Sequence, residues 1–216
     1  LPGLATPVVS FARRYGEVLA LAARFAPGRV PVLVQGEAGA GKRRLARAVH
    51  EWSGREGPWV ECSAASDATS VAARLFGHLP GSHRSGEAGG SGAIQRTQAG
   101  TLYVSDVERL APEVQSMLAR VLRDGSAAPL GSNHAYPVTA RWIFGCGEDL
   151  RRAVNQGYFH EELYFRIAAA RVELPPLRDR LEDLELLVRH FEGLFGIEEP
   201  LGAGQVERLK RRHFHQ

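Results

Sequence analysis

A glycine-rich segment between a strand-like and a helix-like stretch constrains the fold of this chain more than any other feature. Residues 30–34 form a short β-branched run, typical of a buried strand, and apolar residues at helical spacing occur from 43 to 52. The residues between them fit the pattern G-x-x-x-x-G-K and are Gly36, Glu37, Ala38, Gly39, Ala40, Gly41 and Lys42. In this position the pattern predicts a loop whose backbone N–H groups surround phosphate oxygens.

The residues at the end of this loop predict how a phosphate is held. The helix that begins near Lys42 directs its positive end at the loop, and the Lys42 ammonium reaches the terminal phosphates. The alternative is a glycine-rich turn that only joins strand to helix. Arg43 stands where many such loops have a Ser or Thr that binds magnesium, so magnesium is expected to be held poorly or by other residues.

Further strands and helices alternate along the chain. Residues 102–104 and 141–144 are predicted strands, and residues 113–123 and 181–195 are predicted amphipathic helices, the last with Leu184, Leu187, Val188 and Phe191 facing inward. This order predicts an α/β fold, a parallel sheet sandwiched by helices. Residues 81–92, rich in glycine and serine, and residues 125–137 are predicted to be irregular loops.

Composition limits the classes of protein that the chain resembles. Its 216 residues are 44% hydrophobic, and the formal charge of +3 is too small to indicate nucleic acid as a partner. No apolar stretch approaches the roughly 18 residues that span a bilayer, so no membrane contact is expected. The two cysteines, Cys62 and Cys146, fall in strand-like segments and suit a reducing cytoplasm, which is the expected location.

Six ordered blocks resemble the central domain of bacterial sigma-54-dependent transcription activators. Residues 36–50, GEAGAGKRRLARAVH, are similar to the family's GESGTGKELVARAIH, in which Glu follows the lysine where this chain has Arg43. The remaining blocks are LFGH at 75–78, AGTL at 99–102, LARVLRDG at 118–125, FHEELYFR at 159–166 and LPPLRDR at 174–180. Arg178 and Arg180 in the last block are interpreted as ion-pair partners of Asp179 or Glu182.

The resemblance implies an AAA+ phosphate-loop NTPase. Residues 36–43 are then expected to bind ATP or ADP, with magnesium, and residues 1–193 to form the nucleotide-binding domain. Residues 194–216 are expected to begin a helical lid subdomain that is incomplete. Members assemble as hexamers or other rings and act on sigma-54 RNA polymerase. They bind DNA through a domain that is expected to lie outside this chain.

The acidic pair of the family is altered in this sequence. Its Asp-Glu, which organises magnesium and polarises the attacking water, aligns with Ser105 and Asp106. We therefore predict a weak magnesium site at these two residues, with Asp106 as the remaining catalytic carboxylate. General-base positioning is worth about 10²–10⁴ in rate, so hydrolysis is expected to be slow or absent.

Other positions diverge in the same direction. The sigma-54 contact loop, GAFTGA in the family, aligns with residues 81–86, GSHRSG, so the standard contact is not expected; the segment is either a repurposed contact loop or a solvated loop without a partner. Ser63 replaces an asparagine that couples nucleotide state to this loop, and Gly147 replaces the sensor asparagine. His160 replaces one of two trans-acting arginines, and Arg166, the other, is the second predicted catalytic residue.

Three functions are compared on these grounds. The first is an active ATPase that remodels sigma-54 RNA polymerase, and the second is a regulatory module that binds nucleotide, or only assembles, without turnover. The third, an unrelated phosphate-loop kinase or transporter motor, is opposed by the ordered blocks. We favour a nucleotide-binding AAA+ domain of a transcription regulator with weakened or absent hydrolysis, and whether the chain is an enzyme is left open.

Overall fold

Short strands and helices alternate along the chain, as the hydrophobic pattern predicts. The computed structural model describes residues 12–65, 67–82, 88–197 and 199–211. The strands are β1 Val32–Gln35, β2 Trp59–Ser63, β3 Gly77–His78, β4 Gly90–Ser91, β5 Thr101–Ser105, β6 Ser126–Ala127, β7 Tyr136–Pro137, β8 Arg141–Cys146 and β9 Ala170–Glu173. The helices are α1 Arg13–Phe25, α2 Lys42–Trp52, α3 Ala68–Phe76, α4 Ala93–Thr97, α5 Pro112–Asp124, α6 Leu150–Asn155, α7 Glu161–Ile167, α8 Leu184–Phe195 and α9 Ala203–Lys210.

Five strands form one parallel sheet in the order β2-β5-β8-β1-β9. β1 lies between β8 and β9, and all six residues of β8 are buried, as expected for strands covered on both faces. Because the strands are parallel, their carboxyl ends meet at one edge of the sheet. Ligands of open α/β sheets bind at this edge, and the segments after β1, β5 and β8 all begin there.

Two apolar clusters cover the two faces of the sheet. Leu33, Leu102 and Phe144 point to one face and pack against α5 and α7, with Leu118 and Leu163 among the fully buried contacts. On the opposite face α1 and α2 pack against side chains of β1, β5, β8 and β9, in the second cluster. This arrangement confirms the predicted α/β sandwich.

Two of the predicted loops contain short strands. β4 lies inside the segment 81–92 and pairs antiparallel with β3, and β6 pairs with β7 inside the segment 125–137. The prediction that neither segment holds a regular element was therefore wrong. Each pairing has only two residues per strand, which is too short to produce a periodic pattern in the sequence.

The last predicted helix is correct in position but shorter than expected. A 3₁₀ turn occupies Leu181–Asp183, and α8 begins at Leu184. Leu184 is buried and Leu187 and Val188 are half-buried, but Phe191 is 44% exposed, so its predicted inward position was wrong. α9 packs against α8.

The division of the chain at residues 193 and 194 falls inside the continuous helix α8, and it stays a prediction. Among the described residues, no helix combines the length and apolar character needed to cross a bilayer.

Candidate nucleotide-binding site

The glycine-rich loop joins β1 to α2 at the carboxyl edge of the sheet. Gly39 has φ of +75° and Gly41 has φ of +100°, values at which a side chain is strained. Gly36 is glycine for a different reason, since a Cβ there lies 2.9 Å from Cβ of Leu174. Gly41 precedes the first residue of α2, so the N-terminus of an 11-residue helix opens onto the loop. This is the anion-binding geometry that the motif predicts.

The Lys42 side chain lies inside the loop. Its Nζ donates hydrogen bonds to the carbonyl oxygens of Gly36 at 2.7 Å and Glu37 at 2.9 Å. Both acceptors belong to the loop that the motif predicts to surround phosphates. The ammonium is therefore positioned to meet an anion that the loop binds.

Two arginines after β9 brace the loop from outside. Arg178 forms a two-pronged ion pair with Glu37, with Nη1 2.6 Å from Oε2. The buried Arg180 donates from Nη2 to the carbonyl of Ala40 at 2.9 Å, and its Nη1 lies 3.9 Å from Asp183. The predicted partners, Asp179 and Glu182, were wrong. Arg178 pairs with Glu37 and Arg180 with the Ala40 carbonyl, both in the loop and about 140 residues away in sequence, and the carboxylate nearest to Arg180 is that of Asp183, three residues further along the chain.

Arg43 points away from the loop, towards β2. Its Nε lies 2.7 Å from Oε2 of Glu61, and this contact raises the pKa of the guanidinium and lowers that of the carboxyl. Arg43 and Glu61 line a cavity of about 700 Å³ together with Gly39, Gly41 and Lys42. The backbone of Arg43 belongs to the first turn of α2. The prediction that Arg43 is part of the phosphate site therefore depends on its backbone N–H and not on its side chain.

The predicted acidic pair follows β5 at the same edge. Oδ2 of Asp106 accepts hydrogen bonds from the Ser105 hydroxyl at 2.7 Å and from the Ser63 hydroxyl at 3.1 Å. The backbone of Asp106 is left-handed, with φ of +57°, which is uncommon for a residue other than glycine. The structure thus brings three of the predicted positions together, because the hydroxyl groups of Ser63 and Ser105 both donate to Oδ2 of Asp106.

A second carboxylate that the sequence reasoning missed lies beside this group. Oε1 of Glu108 accepts a hydrogen bond from the backbone N–H of Gly147 at 2.8 Å. Its Oε2 is buried and has no hydrogen-bond partner among the described residues. Burial raises the pKa of Glu108. Hydrogen bonds from the backbone N–H groups of Gly147 and of Glu108 itself oppose the rise, the nearby Asp106 adds to it, and Lys42 opposes it. The signal available in the sequence was an acidic residue three positions after β5.

The oxygen donors at this edge suit magnesium. Mg²⁺ in phosphate sites is commonly bound by one or two carboxylates together with substrate phosphates and water. Asp106 and the unpartnered Oε2 of Glu108 supply such oxygens, whereas Ser105 contributes only a hydroxyl. Within the described ranges, no group of three or more His, Cys, Asp or Glu side chains is arranged to hold a metal without a substrate.

The two predicted trans-acting positions lie at α7 and face other groups: Arg166 is on the helix and His160 directly precedes it. Arg166 pairs with Glu162 at 3.2 Å, and Glu162 also contacts Arg123. Nδ1 of His160 lies 3.2 Å from the Ser116 hydroxyl, on α5. Among the described residues these side chains therefore pair with neighbours on α5 and α7, and not with Asp106 or the phosphate loop.

Only the start of the predicted contact loop is described. The Ser82 hydroxyl donates to the carbonyl oxygens of Leu79 and Leu130, at 2.7 and 2.9 Å, which ties the beginning of this segment to the chain between β6 and β7. The prediction for His83 and Arg84, with the rest of residues 83–87, lies outside the described residues.

Comparison of the sequence with known proteins gives relatives of one kind. The chain is 41% identical over 187 residues to the C4-dicarboxylate transport transcriptional regulatory protein DctD of Pseudomonas aeruginosa, which covers 82% of this chain and 40% of DctD. It is 36% identical over 214 residues to the sigma54-dependent transcriptional activator SfnR of Pseudomonas putida, covering 95% of the chain and 58% of SfnR. The chain therefore spans between two fifths and three fifths of the length of these relatives.

Solved structures agree with the sequence comparison. The structure of NtrX from Brucella abortus in complex with ATP superimposes with a TM-score of 0.84 at 27% identity, over 96% of this chain and 48% of that one. The P-loop NTPase domain of an Escherichia coli sigma-54 activator superimposes with a TM-score of 0.53 at 19% identity and supports the fold alone.

The sheet order, the loop and its lysine define the class: this is an AAA+ phosphate-loop NTPase domain. Residues 8–173 match the Sigma-54 interaction domain family. The chain belongs to this family, and the relatives that it matches are named as a transcriptional regulatory protein and a sigma54-dependent transcriptional activator.

Proposed function

We propose that this domain binds ATP and ADP at residues 36–43 and hydrolyses ATP slowly or not at all. The observation that carries the proposal is the Lys42 ammonium, held within the glycine loop by two carbonyl groups at the N-terminus of α2. The structure of NtrX in complex with ATP, which has the same fold, supports nucleotide as the ligand.

The geometry around Asp106 supports weak hydrolysis. Its Oδ2 accepts hydrogen bonds from the Ser105 and Ser63 hydroxyl groups, so this oxygen is already engaged by the protein and is less available to orient an attacking water. Gly147 has no side chain with which to contact a terminal phosphate. Magnesium, when bound with ATP, neutralises charge on the phosphates, and Ser105 and Asp106 are the residues predicted to hold it weakly.

A steady-state ATPase assay tests this part of the proposal. The native chain is expected to hydrolyse ATP with a turnover number well below the range of about 1–10³ s⁻¹ that is typical of enzymes. The double variant Ser105→Asp/Asp106→Glu, which supplies the acidic pair of the family, is expected to be at least about tenfold faster. Ser105→Ala is the matched control and is expected to stay slow. Turnover of the native chain in the typical range would show that it is a fully active ATPase.

Assembly is the second part of the proposal. Among the described residues Arg166 pairs with Glu162 on its own helix and not with the phosphate loop, as is expected if it acts on the nucleotide of a neighbouring copy in a hexamer or another ring. Sedimentation with and without ATP tests this. Nucleotide-dependent oligomers that weaken in Arg166→Ala support it, and a monomer under all conditions opposes it. Contact with sigma-54 RNA polymerase is proposed from the family alone.

The alternative is a module that assembles without binding nucleotide. Saturable ATP binding by the native chain distinguishes the two, because this alternative predicts that none occurs.

A further inference from the structure

The position of Glu108 is explained by the missing side chain at residue 147. Gly147 does not have a positive φ, so its backbone does not require glycine. A Cβ at this position, however, lies 3.1 Å from Oε1 of Glu108. The carboxylate therefore occupies the space next to residue 147 that a side chain there needs.

A chain of hydrogen bonds connects this carboxylate with the phosphate loop. Oε1 of Glu108 is bound to the N–H of Gly147, and the preceding carbonyl, that of Cys146, accepts from the N–H of Gly36 at 3.1 Å. Gly36 in turn accepts from Lys42 Nζ. The Lys42 ammonium also favours the charged form of the Glu108 carboxylate, against the larger effect of burial on its pKa. Glu108 is thus joined to the phosphate loop through the Cys146–Gly147 peptide.

The two carboxylates of the site differ in their availability. Oδ2 of Asp106 already accepts two hydroxyl groups, whereas Oε2 of Glu108 is buried with no hydrogen-bond partner among the described residues. A buried carboxylate oxygen without a partner is unfavourable unless a donor or a cation meets it. Beside a bound triphosphate, an uncompensated carboxylate also repels the phosphates.

We propose that Glu108 supplies the second anion of this site and makes the binding of ATP depend on a divalent cation, in place of the anion that Ser105 lacks. The inference rests on the proposed function, because it requires that the loop binds ATP. With magnesium present, Glu108 meets the cation. Without magnesium its charge opposes the terminal phosphate, and ADP, which lacks that phosphate, is affected less.

Calorimetric titration of the 216-residue chain with ATP, with magnesium and with EDTA, tests this inference. In the native chain magnesium is expected to strengthen ATP binding, and in Glu108→Gln this gain is expected to fall by roughly tenfold or more, the effect of removing one unit charge from a partly screened site. Most of the change is expected in EDTA, where Glu108→Gln binds ATP more tightly than the native chain. For ADP, the strengthening of binding by magnesium is expected to differ less between the native chain and Glu108→Gln than it does for ATP.

A second variant separates the role of Glu108 from a general effect of nearby carboxylates. Glu148→Gln removes an exposed carboxylate that lines, together with Glu108, a cavity of about 640 Å³, and it is expected to keep the native magnesium gain. Thermal melting shows whether each variant is folded.

The outcomes distinguish this inference from the function on which it rests. If Glu108→Gln binds ATP with the native magnesium gain, Glu108 is only a partner for the Gly147 N–H and the inference is wrong, while ATP binding stands. If the native chain binds ATP neither with magnesium nor in EDTA, the proposed function fails, and the inference fails with it.

Discussion

Replacing Arg180 by Met is predicted to destabilise the domain because this arginine joins the phosphate loop to two other segments. Its side chain is 7% exposed, its Nη2 donates to the Ala40 carbonyl at 2.9 Å, and its guanidinium carbon lies 4.4 Å from the centre of the Tyr15 ring. Nη1 lies 3.9 Å from a carboxylate oxygen of the fully buried Asp183. Methionine keeps most of the apolar stem and removes the charge.

The magnitude follows from the lost contacts. A hydrogen bond from a charged donor contributes about 1.5–3 kcal/mol, and a desolvated cation over an aromatic ring about 1–2 kcal/mol. The long ion pair with Asp183 adds little, so the free energy of unfolding is expected to fall by about 2.5–5 kcal/mol. For a domain of this size that loss lowers the melting temperature by roughly 5–20 °C.

Thermal unfolding followed by circular dichroism measures this effect, and Arg178→Met is the matched control. Arg178 lies two residues away, and its ion pair with Glu37 is exposed to solvent, where such pairs contribute little. Its melting temperature is expected to stay close to that of the native chain. Equal shifts for the two variants, or no shift for Arg180→Met, would refute the claim that burial makes Arg180 the stronger brace.

Three further predictions concern the core and the titratable groups. Leu118→Ala, at a fully buried position on α5, is expected to lower the free energy of unfolding by about 3–5 kcal/mol in urea titrations, and a change below 1 kcal/mol (about) would contradict the packing described. Burial raises the pKa of Cys62 and raises that of Cys146 to about 12, so both thiols are expected to react with a thiol reagent at pH 8 only after unfolding. Burial, and then the Arg47 cation, lowers the pKa of His50 in the folded chain. Protons therefore bind the unfolded chain preferentially, and the free energy of unfolding is expected to fall as the pH drops below about 6.5, the pKa of histidine in an unfolded chain. His50→Gln is expected to reduce this loss between pH 7 and 5, and an unchanged pH dependence would oppose it.

The sheet and the phosphate loop were predictable from the sequence for a physical reason. Buried parallel strands need continuous apolar residues, and residues 32–35 and 141–146 are short runs of this kind next to a loop with fixed glycine positions. The pairs β3–β4 and β6–β7 were missed because two-residue strands have no periodicity. Phe191 was assigned to the interior because the spacing of apolar residues identifies a face of a helix without showing what covers it.

The chemistry of the site was predictable only in part. Matching positions with the family showed that Ser63, Ser105 and Gly147 stand where the family has functional side chains. Such matching does not show which other residue of this chain occupies the space beside Gly147. Glu108 enters it, by a contact between residues 39 positions apart. The same limit applies to Arg178, whose partner Glu37 is 141 positions away.

Titration of the native chain and of Lys42→Ala with ATP in the presence of magnesium tests the central claim most directly. The native chain is expected to bind ATP saturably, and removal of the ammonium held by the Gly36 and Glu37 carbonyls is expected to weaken binding by at least about tenfold. Lys210→Ala, which removes the other lysine of the chain from α9, is expected to bind like the native protein. Equal ATP affinity of the native chain and Lys42→Ala, or no binding by either, would contradict the account.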